Sequence, residues 1–162
     1  MGIEIPQNKF LILDGAMGTV LQQRGLSPQG RPELLNLTEP ELLDSVYKEY
    51  IAAGSQVIYA NTFGANGLKL AKTGHSVEEV VGAAIAVAKR AAAGTGTLVA
   101  LDVGPLGELL EPMGTLSFER AYDLFREMAE AGAKAGADLI VVETMTDLYE
   151  AKAALLLSLI HI

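Results

Sequence analysis

The chain has no cysteine among its 162 residues, so it forms no disulfide, offers no thiolate nucleophile and cannot build a cysteine-ligated zinc site from its own side chains. Basic residues are scarce too. Twelve Lys and Arg stand against 20 Asp and Glu, a formal charge of −8 spread along the sequence and not gathered in a tail. A phosphate backbone requires a basic face, which excludes nucleic acid as a partner. No run reaches the roughly 18 uninterrupted apolar residues of a membrane span, and the first residues lack the basic and apolar regions of a secretory signal. A cytoplasmic location is the resulting expectation. There is no P-loop, no low-complexity linker and no composition shift that marks a domain boundary. What is present is a 50% apolar composition, enough for the core of a single domain.

Four short runs of aliphatic and β-branched residues stand out: Phe10 to Leu13, Val57 to Ala60, Leu98 to Leu101 and Leu139 to Val142. Each is apolar throughout and not alternating, the pattern of strands covered on both faces. Helices lie between them. Thr38-Glu39-Pro40-Glu41 and Ser76-Val77-Glu78-Glu79 both fit a capping box, in which a hydroxyl and a glutamate three residues on satisfy free backbone donors. The stripes Leu43, Tyr47, Tyr50, Ile51 and Phe118, Tyr122, Phe125, Met128 recur at helical spacing and are expected to face the sheet. Long crossovers of this kind join parallel strands, so the class is α/β. A gapless internal repeat supports it: "AGSQVIYANT" at 53–62 matches "AGADLIVVET" at 135–144, each with a glycine suited to a helix C-cap leading into a strand. Strand ends follow one another at intervals of 47, 41 and 41 residues (Asp14, Asn61, Asp102, Glu143). The chain stops in the apolar "ALLLSLIHI", as four units of an eight-unit barrel would if cut midway; a doubly wound sheet allows the same spacing.

Every one of the four runs ends in polar groups: Asp14, Asn61 with Thr62, Asp102, and Glu143 with Thr144. Parallel α/β folds gather such carboxyl ends on one ligand-binding face. Each residue also has a structural reading. Asp14 could cap a helix near Ala16, Asp102 could anchor the turn before Gly104 and Pro105, and Thr144 could cap the last helix. Gly15, Gly64, Gly104 and Gly107 lie just past the strand ends, where glycine lets a ligand approach the backbone or simply makes a turn. A pocket of carboxylates and open N–H groups suits a zwitterion, and an α-amino acid fits.

Other motifs carry less. "GTGTLV" at 94–99 precedes a strand, where a dinucleotide fingerprint follows one, and reads as a loop. His75 sits in a turn before a capped helix, and His161 lies in the terminal segment. Arg24 and Arg31 flank "RGLSPQGRPELLN", read as a solvated loop, and the five methionines read as core filling.

In order, "LDGAMGT", "ELLNLTEPE", "AGSQVIYANTFGAN", "DVGPLGELLEPMGTLSF" and "GADLIVVETMTDLYEAKAA" resemble the homocysteine-binding domain shared by cobalamin-dependent methionine synthases, betaine–homocysteine methyltransferases and related homocysteine S-methyltransferases. The likeness covers about Phe10 to Leu156, and the "NTFGAN" and "GPLGELLEP" forms are most similar to the methionine synthase branch. It implies a (β/α)₈ TIM-type barrel with only its first four βα units in this chain, and homocysteine at the carboxyl-terminal mouth. It implies that Asp14 and Glu143 hold the substrate ammonium, that Gly15 with Thr62 positions its backbone atoms, and that Asn61 and Asp102 line the same mouth. In the family a zinc ion on three cysteines of late strands takes the homocysteine sulfur; a free thiol, with a pKa of about 8.5, is mostly protonated at neutral pH and zinc deprotonates it.

None of those cysteines is here. The expectation is therefore an incomplete gene product spanning residues 1–162, inactive alone, whose residues 157–162 are a non-native tail. Zinc ligands are expected in the missing half, and methylcobalamin as the methyl donor on cobalamin- and folate-binding domains or proteins. A reading of another class is a non-catalytic amino-acid-binding half-barrel that dimerises. A flavodoxin-like domain would need a ligand loop after its first strand, and "DGAMGT" is poor in phosphate-cradling features.

Overall fold

Three parallel strands in sequential order form the sheet: β1 (Val57–Tyr59), β2 (Leu98–Val103) and β3 (Leu139–Val142). The computed structural model describes residues 10–27 and 30–161, with no side-chain detail for 157–161. The helices are α1 (Met17–Gln23), α2 (Leu35–Thr38), α3 (Pro40–Ala52), α4 (Gly67–Leu70), α5 (Val77–Ala92), α6 (Phe118–Ala135) and α7 (Leu148–His161), with a 3₁₀ turn at Pro32–Leu34. Helices α5 and α6 serve as crossovers, which is why the strands they join run parallel. None of the described helices is long and apolar enough to cross a membrane.

The internal repeat reappears as a repeated set of hydrogen bonds. After α3, Gly54 turns left-handed at φ +106°, with Gly54 N–H donating to Ile51 O at 3.0 Å and Ser55 N–H to Tyr50 O at 3.1 Å. After α6, Gly136 does the same at φ +87°, with Gly136 N–H to Ala133 O at 3.1 Å and Ala137 N–H to Gly132 O at 3.0 Å. Glycine is needed there because a Cβ disfavours positive φ. Two residues beyond each glycine, one side chain and its own backbone clasp an earlier strand segment. Gln56 N–H donates to Ile12 O at 2.7 Å while Gln56 Oε1 accepts from Ile12 N–H at 3.0 Å. Asp138 N–H donates to Val99 O at 2.8 Å while Asp138 Oδ2 accepts from Val99 N–H at 2.7 Å.

The Asp138 clasp sets the register of β2 and β3, Asp102 beside Val141, and between β1 and β2, where Leu98 N–H donates to Gln56 O at 2.9 Å, Tyr59 lies beside Ala100. With side chains alternating across the strands, Ile58, Val99, Leu101 and Val103 pack into the core beneath the helices, and Tyr59, Ala100 and Asp102 point to the opposite face. Leu101 is fully buried against α6, where a Cβ on Gly132 would lie 2.7 Å from Leu101 Cδ2. The expected helix stripes hold: Leu43, Tyr47, Phe125 and Met128 are buried, with Tyr50, Ile51, Phe118 and Tyr122 packed at the edge of the core.

Three expectations change. The first run, Phe10 to Leu13, is not a strand but a single parallel bridge, Leu13 to Val57. Among the described residues it has a neighbour on one side only, and Phe10 and Ile12 are 95% and 54% exposed. Cover on both faces holds along most of β1 and β2 but not for β3, which is half-buried throughout. Thr38 does not open a capping box: it ends α2, its hydroxyl turned back to Leu34 O at 3.3 Å, and α3 starts at Pro40, whose fixed φ suits the first helical position. The other box is half formed, Ser76 Oγ accepting Glu79 N–H at 3.1 Å while the Glu79 carboxylate pairs with His75 at 3.0 Å. "GTGTLV" is the expected loop leading into β2. Helix α7 runs through His161, while the side chains of the expected tail at 157–161, and Ile162 altogether, lie outside the described residues.

Asp138 carries two ties, to Val99 N–H and to Lys89 Nζ at 2.6 Å. Asp138→Ala is expected to cost about 1–3 kcal/mol, because it strands a strand N–H and a lysine at once. Gln56→Ala, acting at the exposed edge, is expected to cost less. Urea unfolding followed by circular dichroism checks both values and their order.

Candidate functional site

The face away from the helices opens, past the ends of β1, β2 and β3, into a cavity of about 560 Å³. Four carboxylates line it: Asp14, Glu33, Asp102 and Glu143. Gly15, Tyr59, Asn61 and Phe63 line it as well, and no basic side chain does among the described residues. Of the six residues singled out from the sequence, Asp14, Gly15, Asn61, Asp102 and Glu143 thus share one cavity.

Each is held by its strand. Asp14 is no helix cap: α1 begins at Met17 with Ala16 at its N-cap and no side-chain cap. Instead Asp14 N–H donates to Val57 O at 3.0 Å and Asp14 Oδ2 accepts from Tyr59 N–H at 2.9 Å, stitching the first segment to β1. Asp102 lies within β2 and not in the turn after it. Its backbone N–H donates to Thr62 Oγ1 at 3.0 Å and its carbonyl accepts that hydroxyl's proton at 2.8 Å. The structure therefore places Thr62, fully buried, beneath the cavity, where its hydroxyl is engaged with the backbone of Asp102. Asn61 lines the mouth, but its amide is engaged as well, donating to Pro32 O at 2.6 Å and Asn36 Oδ1 at 3.4 Å, while its backbone N–H donates to the buried Tyr47 hydroxyl at 2.8 Å. Glu143 follows β3 directly, its N–H donating to Val103 O at 3.1 Å. The next residue, Thr144, has φ +57°. A β-branched residue in that region is strained, by about 1–3 kcal/mol, and such strain gathers at functional sites. Thr144 does not cap the last helix; Asp147 Oδ1 does, accepting from Tyr149 N–H at 2.7 Å.

Glu33, Tyr59 and Phe63 were missed. Glu33 comes from the loop read as solvated, which folds over the mouth as the 3₁₀ turn, and its Oε1 accepts from Gly64 N–H at 2.8 Å. The arginines of that loop are engaged elsewhere: Arg24 with Glu49 at 2.6 Å, and Arg31 with the Lys69 carbonyl. Two of the expected ligand-opening glycines are filled from within, since a Cβ on Gly64 would meet the Glu33 carboxylate and one on Gly104 would lie 2.5 Å from the Phe63 ring. Tyr59, the last residue of β1, was legible by alternation, two residues before Asn61.

Asp14 Oδ1 and Asp102 Oδ1 are buried without a hydrogen-bond partner among the described residues. An unpaired buried carboxylate oxygen is costly when charged, and the titration follows. Burial pushes Asp14 up to about 6, against the N–H of Tyr59 that favours its ionised form, with Glu143 adding repulsion. Burial also raises Asp102 to about 8, with Glu143, Asp14 and Glu33 reinforcing it. Such oxygens can accept several N–H donors.

A family model described as homocysteine S-methyltransferase matches residues 11–161. The methionine synthase of Mycobacterium tuberculosis is 32% identical over 169 residues, taking in 95% of this chain and 14% of its own length. That of Mycobacterium leprae is 31% identical with the same shares. Among solved structures, the oxidised form of the homocysteine methyltransferase MmuM from Escherichia coli matches with a TM-score of 0.81 at 29% identity, over 93% of this chain and 58% of that one. Its metallated form gives 0.79 at 28%, over 93% and 59%. The chain thus spans about one-seventh of the curated relatives and somewhat more than half of the solved neighbours.

The raised carboxyls give a test that needs no ligand. A carboxyl whose folded pKa lies above its unfolded value of 3.8 lets the native state bind more protons, so stability is full below about pH 4 and falls as pH rises toward the folded pKa, near 8 for Asp102. Asp102→Asn keeps the shape without the charge. The variant is expected to gain on the wild type from pH 4 to pH 8, reaching on the order of 1–3 kcal/mol, as read by urea unfolding across that range. Residues 11–161, matched by the family model, contain every strand end of this site, and the chain belongs to the homocysteine S-methyltransferase family.

Proposed function

We propose that the cavity binds homocysteine by its ammonium group, as the amino-acid site of a methyltransferase of the methionine synthase type that passes a methyl group to the homocysteine sulfur. The observation that carries this reading is the pair of orphaned oxygens, Asp14 Oδ1 and Asp102 Oδ1, in a cavity with four carboxylates and no basic side chain among its lining. An ammonium supplies the missing donors and offsets the charge that burial makes costly. In this reading Asp14 and Glu143 hold the ammonium, Asp102 lines the same mouth, and Gly15, also in the lining, helps to position the backbone atoms of the amino acid. Thr62 acts behind the contact surface, through Asp102, and Asn61 lines that surface with its amide tied to the loop at Pro32.

The wider architecture in this proposal is a (β/α)₈ barrel in a cytoplasmic enzyme, with this sheet as part of its wall. Zinc does not fit the residues present, because the chain has no cysteine and no group of three or more His, Asp or Glu among the described residues is placed to hold a metal ion. We draw no step through it. Zinc, and methylcobalamin as donor, would be supplied by residues or cobalamin- and folate-binding partners other than this chain. What these side chains do is bind and orient the amino acid.

Calorimetric titration with L-homocysteine tests the proposal. Asp14→Asn and Glu143→Gln are each expected to weaken binding about tenfold or more, in line with the loss of a charge-assisted hydrogen bond. N-Acetylhomocysteine, which has no ammonium, is expected not to bind. Equal affinity for the acetylated compound would overturn the reading.

A further inference from the structure

Lys69 stands behind the cavity wall and reaches several of the parts that form it. Its amine donates to Pro105 O at 2.8 Å and lies 5.5 Å from the centroid of the Phe63 ring. Its backbone N–H donates to Asn66 Oδ1 at 3.0 Å, and its carbonyl accepts from Arg31, on the loop that brings Glu33 over the mouth. The stem fits between two glycines: a Cβ on Gly64 would lie 3.4 Å from Lys69 Cδ, and one on Gly107 3.2 Å from Cε. The amine is half-buried; burial lowers its pKa from the usual lysine value, while the charges of Glu33 and Glu150 act to raise it. Glu150 is itself buried and accepts from Leu106 N–H at 2.7 Å, so the same charge faces both the Glu33 loop and the segment after β2.

We propose that Lys69 is a positioning residue for ligand binding, whose ammonium seats the Phe63 ring against Gly104 and balances Glu33, and so sets the wall that a bound amino acid meets. The proposal rests on the reading of the cavity as an amino-acid site. A cation over an aromatic face is attracted by the ring's negative centre, and the attraction strengthens with desolvation. Phe63 needs such a constraint, because it occupies space left by a missing Cβ on Gly104 and has no polar atom to anchor it. Glu33 is held through one oxygen by Gly64 N–H, and the lysine supplies positive charge on the side away from the cavity.

The test uses the full chain labelled with 4-fluorophenylalanine, which places a ¹⁹F reporter on each of its four phenylalanines, with Phe63 assigned by Phe63→Leu. Lys69→Met keeps the stem and removes the charge. Its Phe63 signal is expected to move while those of Phe118 and Phe125 hold, and Kd for homocysteine to rise about tenfold; Lys69→Arg is expected to restore both, and the Lys69→Met effect on Kd to shrink to under about threefold in the Phe63→Leu background, the signature of coupled residues. An unmoved Phe63 signal, or a Kd effect that persists undiminished without the ring, overturns the proposal. Should Lys69→Met lose its fold, Lys69→Gln is read by the same criteria. A wild-type chain that fails to bind homocysteine overturns the reading of the cavity, and the fluorine signal still decides whether Lys69 positions Phe63.

Discussion

The left-handed glycine that ends a helix, followed two residues later by a side chain that clasps an earlier strand segment, is the constraint on which the remaining structure depends. Gly54 with Gln56 and Gly136 with Asp138 each fix where a strand begins relative to an earlier one. In a parallel sheet a slip of one residue would send Asp102 into the helix layer and Leu101 out of it. The clasps lie at one end of the sheet and the carboxylates at the other, separated by strands too short to absorb an error. Register set at the strand starts is therefore read out at their ends, where Asp102 and Glu143 reach the same cavity.

Convergence of that kind opposes stability. Asp14 and Asp102 each bury an oxygen without a partner among the described residues, and Glu143 adds to the cost of ionising both. Groups arranged only for the fold would be paired, as Asp138 is with Lys89 and Asp44 with Lys48 and Arg90. The contrast within one molecule separates structural carboxylates from the cavity's: the former sit beside cations, the latter beside one another. Thr144 adds backbone strain next to Glu143, at the same mouth.

Much of this was legible in order. The repeat at 53–62 and 135–144 announced the βα unit, and the polar residues ending the apolar runs named three of the cavity's four carboxylates together with Asn61. What could not be read was the partner of each atom. Thr62 and Asn61 look like ligands by position, yet hydrogen bonds to Asp102, Pro32 and Asn36 occupy them, and such bonds cross 25 to 40 residues of chain. Glu33 was hidden for the opposite reason, because a polar loop gives no sign of folding back until Gly64 is seen to leave room for its carboxylate. Phe10 to Leu13 misled because apolar composition records what a strand can bury, not whether a neighbour stands on both sides; among the described residues the run meets β1 alone and makes one bridge.

A ring of carboxylates recognises an ammonium, and every α-amino acid has one. In the proposed reading, selection among amino acids must then come from the other surfaces of the cavity. Tyr59 and Phe63 supply the aromatic part of that surface, and Phe63 fits only because Gly104 has no Cβ. An apolar wall separates side chains that differ by one methylene by about 1–3 kcal/mol at best, and only if the wall cannot yield. Rigidity at Phe63 is thus worth as much to selectivity as its shape. Lys69, tied to Pro105 behind the ring, to Arg31 through its carbonyl and facing the charge of Glu33, stands where that rigidity would have to come from.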